Sequence, residues 1–370
     1  MKLVHARGQD IGALVATCRD GLGQGDWPLA LLFVSDALAP HLPLLLAELK
    51  LATGIPHWAG SVGMAIHATG TEYYDEPALA LLALDLDGDD FRILPTIKAH
   101  PETPLAALMP WLQGQAHCSG LIHADPGNPL TPDLIAGLPR FLPEPLLIGG
   151  VTSSRTEPWQ IADEPTHGGL SGVLFGERVC IMAGHTQGCA PIGPVHEITR
   201  AERNLVIELD DRPALEVFKE DIGDLLARDL SRIAGFIFAA LPVDEGEGAP
   251  GRDYLVRNLV GIDEGQQLLA IGDLVQPGQR LMFARRDANT ARQDLADMVD
   301  ELLARLPGPP RAGVYYACLG RGREMFGEAG AELALLRERL GDLPLAGFQA
   351  NGEIHGGRLY GFTGVLGLFC

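Results

Sequence analysis

The stretch "PLAGFQANGEIHGG", Pro344–Gly357, sets a proline, a short apolar strand and a glycine-rich bend in that order. The same order recurs in "IPHWAGSVGMAIH", Ile55–His67, and in "EPLLIGGVTSSRT", Glu144–Thr156. Reading backwards from each bend finds similar neighbours. Before Pro344 stands "AELALLRERLGD". There Leu333, Leu336 and Leu340 share a helical stripe, and Gly341 can supply the C-cap. Before that, "GVYYACLGRG" is an apolar run of β type ending in a glycine loop. Pro56 likewise follows a strand, "LALLFVSDAL", and a helix, "LPLLLAELKLATG". Pro145 follows "SGLIHADPGN" and "TPDLIAGLPRFL". Another apolar run comes after each bend: "PALALLALDL", "GGLSGVLFGERVCIM" and "GFTGVLGLF". The unit is therefore strand, loop, helix, short strand, glycine bend, strand. A period above about 100 residues is too long for a solenoid. Duplicated α/β half-domains fit it.

Between the second and third copies the texture changes. "PALEVFKEDIGDLLARDL" reads as a helix with Pro213 in its first turn. "YLVRNLVGI", "QQLLAIGDLV" and "QRLMFARRD" read as β runs separated by short turns. "TARQDLADMVDELLARL" is a strong helix, and Thr290 with Gln293 fits a capping box. The expected fold class is α/β of the α+β type: two domains of duplicated β-α-β-β-like units, with mixed, largely antiparallel sheets packed by helices. Residues 1–28 extend a first domain at 29–205, and a second domain takes 206–370.

The chain has 370 residues, a length that suggests two domains. Apolar residues make up 46%, enough for a sizeable core. No run is apolar and long enough to span a membrane, and the N-terminus lacks the apolar region of a secretory signal. A net charge of −20 argues against binding nucleic acid or anionic lipid. A cytoplasmic protein is the expectation. The six cysteines are scattered and form no C-x-x-C, which predicts reduced thiols.

Several stretches hold chemistry-bearing residues. "GLGQGD" lacks the spacing of a dinucleotide fingerprint, and no P-loop, G-x-S-x-G or H-E-x-x-H occurs. "ACLGRGREMFG" places Cys318 at a strand end beside Arg321 and Gly322. It reads as a small buried thiol at a tight turn, or as a nucleophile or anion site. "ANGEIHGG" sets Glu353 after Gly352, where a carboxylate could meet a ligand amine or simply water. "GHTQGCAPIGPVHE" holds His185, Cys189 and His196, residue types able to ligate haem iron, though the spacing is no zinc pattern. It also reads as a rigid bend. "FARRDANTARQDL" offers Arg285 as a carboxylate clamp, or as a solvated charge at a helix entry.

Four stretches in order, "HTQGCAPIGPVHEITRAERNLVIELDDRPALEVF", "YLVRNLVGIDEGQQLLAIGDLVQPGQRLMFARRDANTARQDL", "YYACLGRGREMFG" and "PLAGFQANGEIHGG", resemble the FIST family. The resemblance runs from about residue 30 to the end. It implies a bacterial sensory module for a small ligand, with amino acids the usual proposal and haem-based nitric-oxide sensing in some members. Carried to matching positions, it implies ligand-binding roles for Gln187, Cys189, Arg285, Asp287, Cys318, Arg321, Gly322, Gly352 and Glu353, with Gly188 also in the motif. The resulting expectation is a pocket around Cys318, Arg321 and Glu353 with Arg285 close by. An amino acid or similar small organic acid would bind there through Arg to its carboxylate and Glu to its amine. No cofactor is expected. The signal would pass to a separate protein such as a kinase or cyclase. The alternatives are a haem sensor using His185, His196 or Cys189, and an enzyme with Cys318 as nucleophile. The first bend lacks the Gly-Glu pair that the last one keeps.

Overall fold

A computed structural model describes residues 1–223, 226, 230, 235–243 and 253–370. Two compact units emerge, Met1–Thr186 with Arg292–Cys370, and Gln187–Ala291.

The first unit contains all three copies. In the first, β1 (Lys2–Arg7) leads through a helix to β2 (Leu29–Ser35). Helix Leu42–Thr53, ended by Gly54, leads to β3 (His57–Gly63). The hairpin β4 (Ala65–Ala68) and β5 (Thr71–Tyr74) follows, then β6 (Ala78–Leu84). The second copy repeats this order with β7 (Phe91–Ile97), β8 (Ser119–Ala124), helix Thr131–Gly137 and β9 (Leu146–Val151). Its hairpin is β10 (Gln160–Ala162) with β11 (Glu164–Thr166), and β12 (Leu170–Phe175) closes it. The third copy opens with β13 (Ile181–Gln187) and is then interrupted by the second unit.

The second unit comprises β14 (Cys189–Glu202), β15 (Leu205–Leu209), β16 (Arg212–Pro213), helix Ala214–Ile222, β17 (Ile237–Pro242), β18 (Tyr254–Asp263), β19 (Leu268–Ile271) and β20 (Arg280–Arg286). The sheet order is β14-β20-β17-β18-β19-β15-β16, and β14 also pairs with β15, so the antiparallel sheet closes on itself. Phe218 of the helix packs on Phe283 at 4.7 Å between ring centres. Of the helix expected over "PALEVFKEDIGDLLARDL", Ala214–Ile222 is helical and Gly223 ends it, while residues 224, 225 and 227–229 lie outside the described residues.

The third copy resumes through helix Ala288–Arg305. It continues with β21 (Ala312–Cys318), helix Ala331–Leu340, β22 (Leu345–Ala350), the hairpin β23 (Glu353–His355) with β24 (Arg358–Tyr360), and β25 (Thr363–Phe369). The capping box expected at Thr290 and Gln293 is replaced by another cap. Asp287 Oδ1 accepts the Thr290 backbone N–H at 2.7 Å, while Gln293 reaches Asp297. The boundary expected at 205/206 follows a change in sequence texture, whereas the compact units divide at 186/187 and 291/292.

In every copy the central strands pair in parallel: β2 with β3, β8 with β9, β21 with β22. Each copy's last strand then returns antiparallel beside the first of that pair. The hairpins do not stay with their own copies. β4 pairs with β22, β10 with β3, and β23 with β9, so each copy lends its hairpin to another in a closed cycle.

The repeated glycine has a steric cause. Gly60 lies opposite Leu32, Gly149 opposite Ile122 and Gly347 opposite Tyr315. A Cβ at these glycines would fall 1.9, 1.8 and 1.8 Å from the carbonyl oxygens of those residues. The next residue of each central strand, Phe33, His123 and Tyr316, points into the shared core. Their rings form a triangle with centre-to-centre distances of 5.7, 6.0 and 5.8 Å. Helices cover the other face of each sheet: Leu14, Leu45 and Leu46 pack over the first, and Leu333 and Leu336 over the third.

The cysteine expectation needs a correction. Cys180 and Cys370 are joined by a disulfide, while Cys18, Cys118, Cys189 and Cys318 are free and buried. The partners lie 190 residues apart, so no spacing rule announces the bond.

Candidate functional site

Cys318 closes β21, one of the strands at the centre of the third sheet, and Glu353 opens the hairpin that follows β22. Glu353 is fully buried. Its Oε2 accepts the Thr363 backbone N–H at 3.1 Å. Its Oε1 has no N–H or O–H partner among the described residues, and the Cys318 thiol is the polar neighbour in reach of the carboxyl. Burial pushes the carboxyl well above the usual range, with the Thr363 N–H and the Arg321 charge only partly offsetting it. Burial therefore favours the neutral form of Glu353 over the carboxylate. Burial also pushes the Cys318 thiol up, and the adjacent carboxyl adds to the shift. That is the opposite of what an activated nucleophile requires.

The cyclic exchange allows an internal comparison. Glu353 pairs with Gly150, the residue after Gly149. The same register places Gln160 opposite Ser61 and Ile66 opposite Phe348. Glu353, Gln160 and Ile66 thus occupy equivalent positions. Ile66 is apolar. Gln160 is satisfied: its amide donates to the Gly169 carbonyl at 3.1 Å, and its oxygen accepts from Ser171 at 2.8 Å. Of the three, Glu353 alone keeps a buried oxygen with hydrogen-bonding capacity left over.

Arg321 does not offer its guanidinium to a ligand carboxylate. It is 0% exposed and gives two hydrogen bonds to Glu332 Oε1, at 2.7 and 2.5 Å. Tyr315 donates to the same oxygen at 2.6 Å, and the Phe326 ring lies 5.4 Å from the guanidinium. The expected ligand clamp is a buried structural ion pair. Glu332 stands in the first turn of helix Ala331–Leu340, where a negative charge is favoured.

Gly322 adopts φ +56°, and a Cβ there would lie 1.9 Å from the Tyr74 hydroxyl. That approach belongs to a second buried network which sequence reading missed. Gln349 donates to Tyr74 and, at 3.2 Å, to Glu72 Oε1. Glu72 Oε2 accepts the Gly330 N–H at 2.8 Å, and His67 Nε2 lies 3.2 Å from Oε1. Burial opposes ionisation of Glu72, but the His67, Gly330 and Tyr74 contacts outweigh it and hold the carboxyl below its usual value. The available signal was the polar alternation of the first hairpin, where His67 sits opposite Glu72. Gly352 supports the bend through its carbonyl, which accepts from Val151 N at 2.8 Å.

The remaining expected residues, His185 apart, belong to the second unit. Gln187 donates to Asp253 at 3.3 Å and to the Tyr254 carbonyl at 3.2 Å. The Gly188 carbonyl accepts the Asp287 N–H at 3.3 Å. Cys189 is buried, and its carbonyl accepts the Tyr254 hydroxyl. Arg285 is half exposed, 3.7 Å from Asp287, and Asp287 serves as the helix cap. Both ring nitrogens of His196 face carboxylates, Asp210 at 2.6 Å and Asp221 at 2.9 Å, which leaves neither open to haem iron. His185, in the first unit, stacks between His355 and Tyr360 at 4.9 Å from each. Among the described residues no group of His, Cys, Asp and Glu could hold a metal ion. No helix among them is long and apolar enough to cross a membrane.

The chain is 32% identical over 368 residues to uncharacterized protein Rv0628c of Mycobacterium tuberculosis, covering 96% of this chain and 94% of the relative. It is also 32% identical over 362 residues to uncharacterized protein Mb0898c of Mycobacterium bovis, covering 95% and 92%. Residues 28–212 match the FIST N domain and residues 214–355 the FIST C domain. FIST domains are sensory domains that bind small ligands. With both domain matches in order along the sequence, the chain belongs to the FIST family.

Proposed function

We propose that this protein senses a small organic ligand bound beside Glu353 and passes the signal to a separate protein, such as a kinase or cyclase. One observation carries the reading: of three equivalent buried positions, only Glu353 retains unused hydrogen-bonding capacity. A ligand amine meets that need. It would bind as an ammonium group against the carboxylate, with the carboxyl proton released to solvent, so that binding ionises a buried acid. Amino acids supply such an amine, as the family resemblance suggests. Their carboxylate needs a partner other than Arg321, which is engaged by Glu332. The ligand is organic in this reading, and the purified protein is expected to lack a Soret band.

Isothermal titration with amino acids, simple amines and small organic acids tests the site. At least one amine-bearing compound should bind, and Glu353→Gln should weaken it by about tenfold or more, the loss of a charge-assisted hydrogen bond. Unchanged affinity in the variant, or no binding across the panel, would sink the assignment. A Soret band with haem mass in native mass spectrometry would replace it with the gas-sensing reading.

A further inference from the structure

We propose that the Cys180–Cys370 bond is a reversible thiol–disulfide exchange site, which clasps β13 to β25 when oxidised and frees the start of β13 when a dithiol reductant opens it. Cys180 is exposed and Cys370 half-buried, unlike the four buried thiols. Their Cα atoms are 5.3 Å apart, and Cys370 N donates to the Cys180 carbonyl at 3.0 Å. Both cysteines line a cleft of about 210 Å³ with Asp85, Asp90, Arg178 and Arg311. The cleft gives a small thiol or a protein dithiol access to the sulfurs.

β13 is the strand on which the bond acts. It lies at the edge of its sheet, with β25 as its neighbour in the strand order. Its far end is held by Thr186, whose hydroxyl donates to Asp294 at 2.7 Å. Its near end is held by the disulfide. The strand carries His185 against His355 and Tyr360, on the hairpin that Glu353 opens, and it leads in sequence into the second unit. One exchange event therefore acts on the strand that joins the ligand hairpin to the chain connection.

The chemistry balances through a mixed disulfide. A donor thiolate attacks one sulfur, and the other leaves as a thiolate that takes up a proton. The donor's second thiol then displaces the first cysteine. Two electrons and two protons pass to the protein, and the donor becomes a disulfide. A disulfide oxidant reverses the step.

The test uses dithiothreitol on the full native chain, followed by maleimide labelling and mass measurement. No label is expected before reduction, and two afterwards, on Cys180 and Cys370. Amide exchange across 181–186 should rise by about tenfold on reduction and return on reoxidation, while β2 stays protected. Cys180→Ser and Cys370→Ser should each reproduce the reduced pattern, which separates a local effect from misfolding of one variant. Labelling without reductant, labelling only in denaturant, or unchanged exchange in β13 would each overturn the proposal.

Discussion

At the scale of single residues, burial decides most of the chemistry. Cys318 is held as a thiol by its surroundings, so it should react with iodoacetamide far more slowly than a free cysteine at neutral pH, read by the rate of mass gain. Fast labelling would revive the enzyme reading. Arg321 and Glu332 form a buried pair, and removing one partner leaves a buried charge. Glu332→Ala should cost about 3–5 kcal/mol in denaturant unfolding. His123 sits in the aromatic triangle, where burial pushes its pKa down to about 3. Its Nδ1 has no partner among the described residues, and Nε2 lies 3.4 Å from the Tyr316 hydroxyl. The unfolded chain binds a proton more readily there, so this histidine erodes stability as pH falls below its ordinary value of 6.5 toward 3. His123→Phe alone would strand the Tyr316 hydroxyl. The double replacement with Tyr316→Phe removes both polar groups and should be the more stable variant, with a flatter acid limb. His196 has the opposite sign. Burial disfavours its charge, but Asp210 and Asp221 outweigh that and raise its pKa. Its contribution is complete below the unfolded value and is lost as pH rises through the raised folded value. Thermal melts of wild type should therefore lose stability over that range, and His196→Gln should lose this dependence.

At the scale of elements, the three glycines of the parallel strands are the most sensitive positions. Gly149→Ala would press a methyl group into the Ile122 carbonyl, and a loss above about 3 kcal/mol, or failure to fold, is expected. Circular dichroism and denaturant titration would show it; near-wild-type stability would mean the strands can part. The recurrence of glycine after each proline was legible in sequence, but it read as a bend, whereas Gly60, Gly149 and Gly347 lie inside strands β3, β9 and β22. The central strands and their helices were legible because apolar runs and leucine stripes lie within one segment. The hairpin exchange was not legible. β10, β11, β23 and β24 have three residues each, too short for a periodicity, and β10 and β23 find their outer partners, β3 and β9, in other copies. The site was half legible. Glu353 stood out in its glycine bend, but Arg321 was read as a ligand group because nothing in sequence shows Glu332 turning back from the next helix to meet it. The contact of Gln349 with Glu72 was hidden similarly, since Gln349 comes from another copy.

At the scale of the whole molecule, the second unit is an insertion into the third copy. Thr186 and Asp294 flank it and are hydrogen-bonded to each other, so the ends to be rejoined are neighbours. A chain in which a short glycine-serine linker replaces 187–291 should fold, with a cooperative melt and protected amides in β2 and β21. A molten product would show that the ring depends on its insert. The hairpin cycle also bears on where such a ring comes from. Each copy completes its sheet only with a strand given by another, and the giving closes after three steps. Three separate chains, each one copy long, could satisfy the same pairings only as a cyclic trimer with swapped arms. The present chain has the connectivity of such a trimer tied into one polypeptide. Within one polypeptide the three arms need not be alike, and the equivalent corners hold an apolar, an amide and an acidic side chain, Ile66, Gln160 and Glu353.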